Sequence, residues 1–263
     1  MCIFGEPGVG KTPLIGSSQV PTLILRPPTD HTVSIERPNA VQEIVIDDWA
    51  SMYEAKRYVQ QEGWKEFDWV WIDTLPGYQD FGLRDIIQDA IIRKPARAHT
   101  RGGEKVIELG PDKGEFGINM NRVIATIQDM CGFAAEGKFN FGIVTHPEDY
   151  YHPIKEETLL APWVQGKGMV KKVCGYMNII AYLQEVERDG KEPQMQLLTR
   201  ADGFFGKDQY GAFPELKSGK RGMINPSMAK INEALEAVRE PVAPRKESAP
   251  KKAVKRVKRV KKG

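Results

Sequence analysis

The sequence predicts an α/β fold: a mostly parallel sheet flanked by helices, extended by an antiparallel hairpin and followed by a disordered C-terminal tail. Three observations carry this. Short apolar, β-branched runs alternate with segments of helical period up to about residue 145, the pattern of strand–helix units. Two longer strand-like runs then flank Asp189-Gly190, a good hairpin turn. Finally, residues 241–263 hold Pro241, Pro244 and Pro250 and almost no apolar side chain beyond alanine and valine, too little to bury.

The elements follow in order. Residues 1–4 (MCIF) are an apolar run cut off by Gly5. Runs 22–25 (TLIL) and 43–46 (EIVI) read as short buried strands. Asp47 and Asp48 precede a helix over 49–62, in which Trp49, Met52, Tyr53, Lys56 and Val59 keep helical spacing and the aspartates supply its N-terminal cap. Run 69–72 (WVWI) is another buried strand, ending at Asp73. Helices are expected over 83–92 and 118–135, and a strand over 139–145 (FNFGIVT). Between them 93–114, with five Lys/Arg before Lys113 and two prolines, reads as a mobile loop. Residues 146–165 are polar and punctuated by proline; 178–186 and 194–200 are the hairpin strands; Pro226 leads into a last helix over 227–238. One domain over 1–240 and a tail over 241–263 is the expected organisation.

The chain has 263 residues and a formal net charge of +3, which hides an asymmetry. Residues 241–263 carry ten Lys/Arg and a single acid, Glu247, for +9; the preceding 240 residues carry 28 basic and 34 acidic side chains, for −6. An acidic body with a basic tail suggests a polyanion-binding appendage. No run approaches the roughly 18 apolar residues of a membrane span, and the first residues lack a basic region and a long apolar run, so no secretory signal and no membrane are expected. Cys2, Cys131 and Cys174 stand far apart without CxxC spacing, which argues against a disulfide framework or zinc site and for a reducing cytoplasm.

The strongest motif is Gly5-Glu6-Pro7-Gly8-Val9-Gly10-Lys11-Thr12, a full match to G-x-x-x-x-G-K-[ST] directly after an apolar run. Glycines at 5, 8 and 10 let the backbone curl so that its N–H groups face phosphate oxygens. Lys11 is expected to reach the β- and γ-phosphates of ATP, and the Thr12 hydroxyl to hold Mg²⁺. Pro13 follows at once, and proline is tolerated in a first helical turn. Asp73, 62 positions after Lys11 at the end of an apolar strand, suits the Mg²⁺ side of such a site. His146, ending the 141–145 run, is a candidate for contact with the γ-phosphate or attacking water, or else simply ends a strand. No HExxH or cysteine partner accompanies His146 and His152, so metal binding by them is not expected.

The ordered set GEPGVGKT, WVWIDT, FGIVTHP and GKDQYG resembles the phage RecA-like P-loop ATPases of the single-strand annealing or recombination type, over about residues 1–238. The resemblance implies a RecA-like P-loop NTPase core that assembles as a homo-oligomer on DNA with ATP at subunit boundaries, in the host cytoplasm for a phage-encoded chain. It implies that Gly5, Gly8, Gly10, Lys11 and Thr12 form the nucleotide loop, that Asp73 is the Mg²⁺-side aspartate and that His146 is the sensor. Lys207-Asp208 matches a Lys-Asp-Arg-like element, with Gln209 where arginine is common; Lys207 or Arg200 is then a candidate finger across a subunit interface, against the plainer reading of a surface lysine at a turn. Asp30, in the segment after the second strand, is the nearby acid for a general base.

Single-stranded DNA needs cations for phosphates and aromatic platforms for bases. Three segments offer them: 93–113, with Arg93, Lys94, Arg97, Arg101, Lys105 and Lys113; 150–172, with Tyr150, Tyr151, Trp163, Lys155, Lys167, Lys171 and Lys172; and the tail, 251–262. The expected activity is Mg²⁺-dependent, DNA-stimulated ATP hydrolysis in recombination or strand annealing. A metal-dependent nuclease on the same scaffold and a nucleotide-gated DNA-binding module without turnover are the alternatives. A chain ended at Glu240 is predicted to keep basal ATP hydrolysis and to bind oligo-dT less tightly, with a shallower salt dependence, because the slope scales at about 0.7 per neutralised phosphate on single strands. Equal binding by both chains over a salt series would refute a role for the tail.

Overall fold

The computed structural model describes residues 1–28, 40–93, 98–101, 104–107, 113–152, 156–166 and 168–239. In chain order its elements are β1 (Cys2–Phe4), α1 (Lys11–Gly16), β2 (Thr22–Arg26), β3 (Val41–Val45), α2 (Trp49–Gln61), β4 (Trp69–Ile72), α3 (Leu75–Arg93), β5 (Ala98–Arg101), β6 (Glu104–Ile107), α4 (Lys113–Ala135), β7 (Asn140–Thr145), β8 (Pro147–His152), β9 (Glu157–Pro162), α5 (Met169–Tyr176), β10 (Ile179–Arg188), β11 (Lys191–Arg200), β12 (Lys207–Asp208), β13 (Arg221–Ile224) and α6 (Met228–Val238).

The main sheet has nine strands in the order β13-β11-β10-β1-β7-β4-β2-β3, with β12 also on β10. From β10 to β3 every pairing is parallel. Strands β11, β12 and β13 extend it antiparallel. The fold is thus α/β, with a mostly parallel mixed sheet and helices on both faces.

Parallel strands flanked by helices are apolar on both faces. Strands β1 and β4 are accordingly buried at every position. Alternation sorts their side chains. Cys2, Phe4, Val70 and Ile72 pack with α2, α3, α4 and α5. Ile3, Trp69 and Trp71 pack with α1 and α6 on the other face. Trp69 and Trp71 stack at 4.9 Å, and the Trp69 indole N–H donates to Asn232 Oδ1 of α6 at 2.7 Å. A glycine makes this stack possible. Gly142 of β7 lies opposite Trp71, and a Cβ there would come within 2.2 Å of the indole carbons. Strand β7 can therefore lie beside β4 only with glycine at that position.

Several expectations are met closely. Asp48 caps α2, its side chain accepting from Ser51 N while Ser51 Oγ accepts from Asp48 N. Hairpin β10–β11 turns at Gly190, whose φ is +64°. Others need correction. Helix α3 starts at Leu75, eight positions before 83, because Leu75, Tyr78 and Phe81 are all buried on one face and Pro76 is harmless in a first turn. Strand β3 starts at Val41 rather than 43, pairing from Thr22 onward. Residues 93–114 are not a loop throughout, since β5 and β6 pair antiparallel within them and α4 begins at Lys113. Residues 146–165 are mostly the antiparallel pair β8–β9, concealed because β8 alternates only between half-buried and exposed positions. Helix α5 was not expected either; its N-terminal cap is Gly168 without a side-chain hydrogen bond, so it carries no capping residue to read.

The cysteines, remote in sequence, are free, and Cys2 and Cys174 are buried in one core. Burial raises both thiols, Cys174 to about 12, which suits core packing rather than reactivity. Among the described residues no helix is long and apolar enough to cross a membrane. Asp30, Lys155, Lys167, the tail from 241 and Lys94, Arg97 of the basic segment lie outside the described residues.

Gly142→Ala is predicted to destabilise the fold by at least about 1–3 kcal/mol, the range for overpacking a filled core. Equilibrium urea unfolding measures it, and an unchanged midpoint would contradict the packing account.

Candidate phosphate-binding site

Three parallel strands end side by side, and each ends in chemistry. Strand β1 runs into Gly5, its neighbour β7 into Thr145-His146, and β4, on the far side of β7, into Asp73. Ligand sites in open parallel sheets form beyond the carboxyl ends of the strands, where backbone groups leave the ladder.

After β1 the chain turns at Glu6 (Val9 N–H to Glu6 O, 3.3 Å), passes through Gly8 and Gly10 in left-handed conformations (φ +81° and +91°), and enters α1 at Lys11. Nothing lies within 4 Å of a Cβ built on Gly8 or Gly10, so the requirement for glycine there is conformational. Gly5 is constrained differently: a Cβ would meet Leu183 O of β10 at 2.3 Å. Pro13 occupies the first turn of α1, as the sequence allows. Glu6 and Pro7 are exposed, Val9 half-buried.

Lys11 is only 6% exposed and arches back over its own loop, its Nζ donating to Gly5 O at 2.7 Å and Glu6 O at 2.8 Å. Burial lowers its pKa, and the Asp73 and Glu6 carboxylates act in the opposite direction. The Thr12 hydroxyl donates to Asp73 Oδ2 at 2.7 Å, tying α1 to the end of β4 across 61 residues of sequence. Asp73 is 2% exposed, and the peptide between it and Thr74 is cis. His146 is half-buried, its ring 6.4 Å from Trp163, and its carbonyl accepts from Trp163 N at 2.7 Å. It follows Thr145, which pairs with Phe4, the residue before Gly5.

The arrangement fits a nucleotide phosphate with a hard cation. A loop with open space at Gly8 and Gly10, a buried ammonium and a helix N-terminus suit phosphate oxygens. Thr12 Oγ1 and Asp73 could serve Mg²⁺, which takes few protein ligands and completes its shell with water and phosphate. Among the described residues no cluster of three or more His, Cys, Asp or Glu offers a dedicated metal cage.

The structure brings Gly5, Gly8, Gly10, Lys11, Thr12, Asp73 and His146 to one edge of the sheet. It does not bring the Lys207-Asp208 element there. Strand β12 pairs with the first residues of β10, at the opposite end of the sheet from Gly5. Lys207 Nζ is tied to Met177 O at 2.7 Å, and the Asp208 carboxylate accepts from Ala212 N and Phe213 N. In this chain that element closes a turn, with Lys207 Nζ on a backbone carbonyl. Arg200 ends β11, which runs back toward the start of β10, so it too lies away from the loop.

Sequence reading missed a charged pair at this edge. Arg26 ends β2 one position past the Leu25–Ile72 pairing, beside Asp73, and its Nε donates to Glu43 Oε2 of β3 at 3.1 Å. The signal was present: TLILR closes an apolar run with a charge, just as WVWID does. No family model matches this chain, and neither does any curated protein.

Proposed function

We propose that this chain is a RecA-like P-loop ATPase that binds ATP with Mg²⁺ and acts on single-stranded DNA, in phage recombination or strand annealing. The observation that carries the reading is the Thr12–Asp73 hydrogen bond beside a buried Lys11, which joins the glycine loop to the second strand end that such chemistry requires. The strand order supports the RecA-like form of it. Strand β7 lies between β1 and β4, so its polar end, Thr145-His146, stands between the loop and Asp73, where a sensor of the terminal phosphate belongs.

Each residue has a role in this reading. The amides of residues 8–12 and the ammonium of Lys11 bind and orient the phosphates; Lys11 exchanges its bonds to Gly5 O and Glu6 O for phosphate oxygens. Thr12 and Asp73 hold the cation, which when bound neutralises charge developing on the phosphoryl group. His146 orients the attacking water or the terminal phosphate. For DNA, the cavity of about 630 Å³ beside β8 and the start of α5 offers Tyr151 and Trp163 for stacking and Lys171 for a phosphate.

Lys11→Ala is predicted to lower ATP hydrolysis by about a hundredfold or more, the scale for losing one preorganised charge contact in the transition state. Asp73→Asn is predicted to weaken Mg²⁺-dependent binding of ATP while sparing the fold. Hydrolysis is measured with and without oligo-dT, and binding with a fluorescent ATP analogue over a Mg²⁺ titration. ATP bound without turnover by the wild type would instead favour a nucleotide-gated binding module. Hydrolysis unaffected by Lys11→Ala would sink the reading.

A further inference from the structure

The cavity of about 630 Å³ beside β8 and α5 is lined by groups of opposite character. The start of α5 is one of them. Gly168 caps that helix with φ +79° and no side-chain hydrogen bond, and Lys171 stands in its first turn. Such a start suits a phosphate. Strand β8 instead brings the Glu148 carboxylate to the wall. Trp163 joins the wall from just beyond β9. Ala161 pairs with Glu148, and Trp163 N donates to His146 O at 2.7 Å, so by strand alternation the Glu148 and Trp163 side chains leave the same face.

The carboxylate is short of donors. Glu148 is half-buried, and its one hydrogen bond among the described residues is from Val164 N to Oε1 at 3.3 Å. Burial raises its pKa, and only that N–H acts in the opposite direction. An ionised carboxylate has about four acceptor sites and nothing to donate, so N–H groups are what it lacks. The wall around it is fixed beforehand. Thr145 Oγ1 donates to Trp163 O at 2.6 Å. Gln79, 1% exposed, holds both sides of the next residue but one: its Oε1 accepts from Gln165 N at 3.0 Å, and its Nε2 donates to Gln165 O at 3.2 Å.

We propose that Glu148 makes this cavity select bases with an exocyclic amino group, and so cytosine over thymine, in single-stranded DNA. The inference rests on the DNA reading above and adds its base preference. With the ring against Trp163 and the phosphate toward α5, the cytosine N4 amine donates to the carboxylate. Thymine presents O4 at that place, an acceptor, and leaves the partly desolvated carboxylate facing a carbonyl. Phosphate contacts are common to both bases and carry no preference.

The test measures fluorescence anisotropy of labelled oligo-dC, oligo-dT and oligo-dU of equal length at matched salt, with the full wild-type chain, Glu148→Gln and Lys171→Ala. Uracil keeps O4 and lacks the thymine methyl, so it separates the amine from the methyl. The wild type is expected to bind oligo-dC about tenfold more tightly than oligo-dT and oligo-dU, the scale of one good base-edge contact. Glutamine keeps an oxygen for Val164 N and adds an N–H that can face O4, so in Glu148→Gln the ratio should fall to about one, chiefly through tighter oligo-dT binding. Lys171→Ala should weaken all three alike. Equal wild-type binding of the three overturns the inference and leaves the proposed function standing. Oligo-dU bound as tightly as oligo-dC overturns it, since the methyl would then be what is excluded. A folded Glu148→Gln that keeps the wild-type ratio, at any affinity, overturns it as a merely structural role. Unchanged affinities in Lys171→Ala overturn it by placing the discrimination outside this cavity. A wild type that binds no oligonucleotide overturns both readings.

Discussion

The hydrogen bond from Thr12 to Asp73 is the constraint on which the rest of the site depends. It spans the width of β7, since the strand leading to Thr12 and the strand ending in Asp73 are not neighbours. Strand β7 lies between them, and Gly142 leaves room for Trp71 beside it. Strand β10 must approach the loop closely, and Gly5 provides that. The helix α1 must begin within reach of β4, and the left-handed turns at Gly8 and Gly10 provide that. Gly142 and Gly5 answer steric demands, Gly8 and Gly10 conformational ones.

The electrostatics follow from the same geometry. Lys11 is buried at a cost, because desolvation disfavours its charge. Two loop carbonyls and the nearby Asp73 offset that cost in the free protein. Anionic oxygens would offset it better than carbonyls do, since a charge-assisted hydrogen bond is roughly twice as strong as a neutral one. The proposed phosphate role of Lys11 draws on that difference. At the loop a lysine and a helix N-terminus stand beside the Asp73 and Glu6 carboxylates.

Much of this was legible in the sequence where local rules and tertiary context agree. WVWI could be little else but a buried strand, and the glycine loop announces its own curl. Asp48 and Ser51 wrote the start of α2 in capping chemistry. Legibility failed where burial is partial or partners are remote. Strand β8 alternates only between half-buried and exposed positions, so it needed no apolar run. Lys207-Asp208 was singled out by resemblance, and no local pattern announces its bonds to Met177, Ala212 and Phe213. Gln79 and Gln165 are 86 residues apart, and a single buried glutamine in a helix carries no signature of what it grips. Arg26, in contrast, could have been found by asking which other apolar runs end in a charge.

The central claim is that residues 8–12 and Asp73 form one preorganised phosphate and cation site. Amide hydrogen exchange over residues 5–16 and 69–78, with and without ATP and Mg²⁺, tests it most directly. The account predicts slowed exchange at the loop amides that needs ATP and Mg²⁺ together, with a smaller effect around Asp73. Unchanged exchange in both segments at saturating ATP and Mg²⁺ would contradict it.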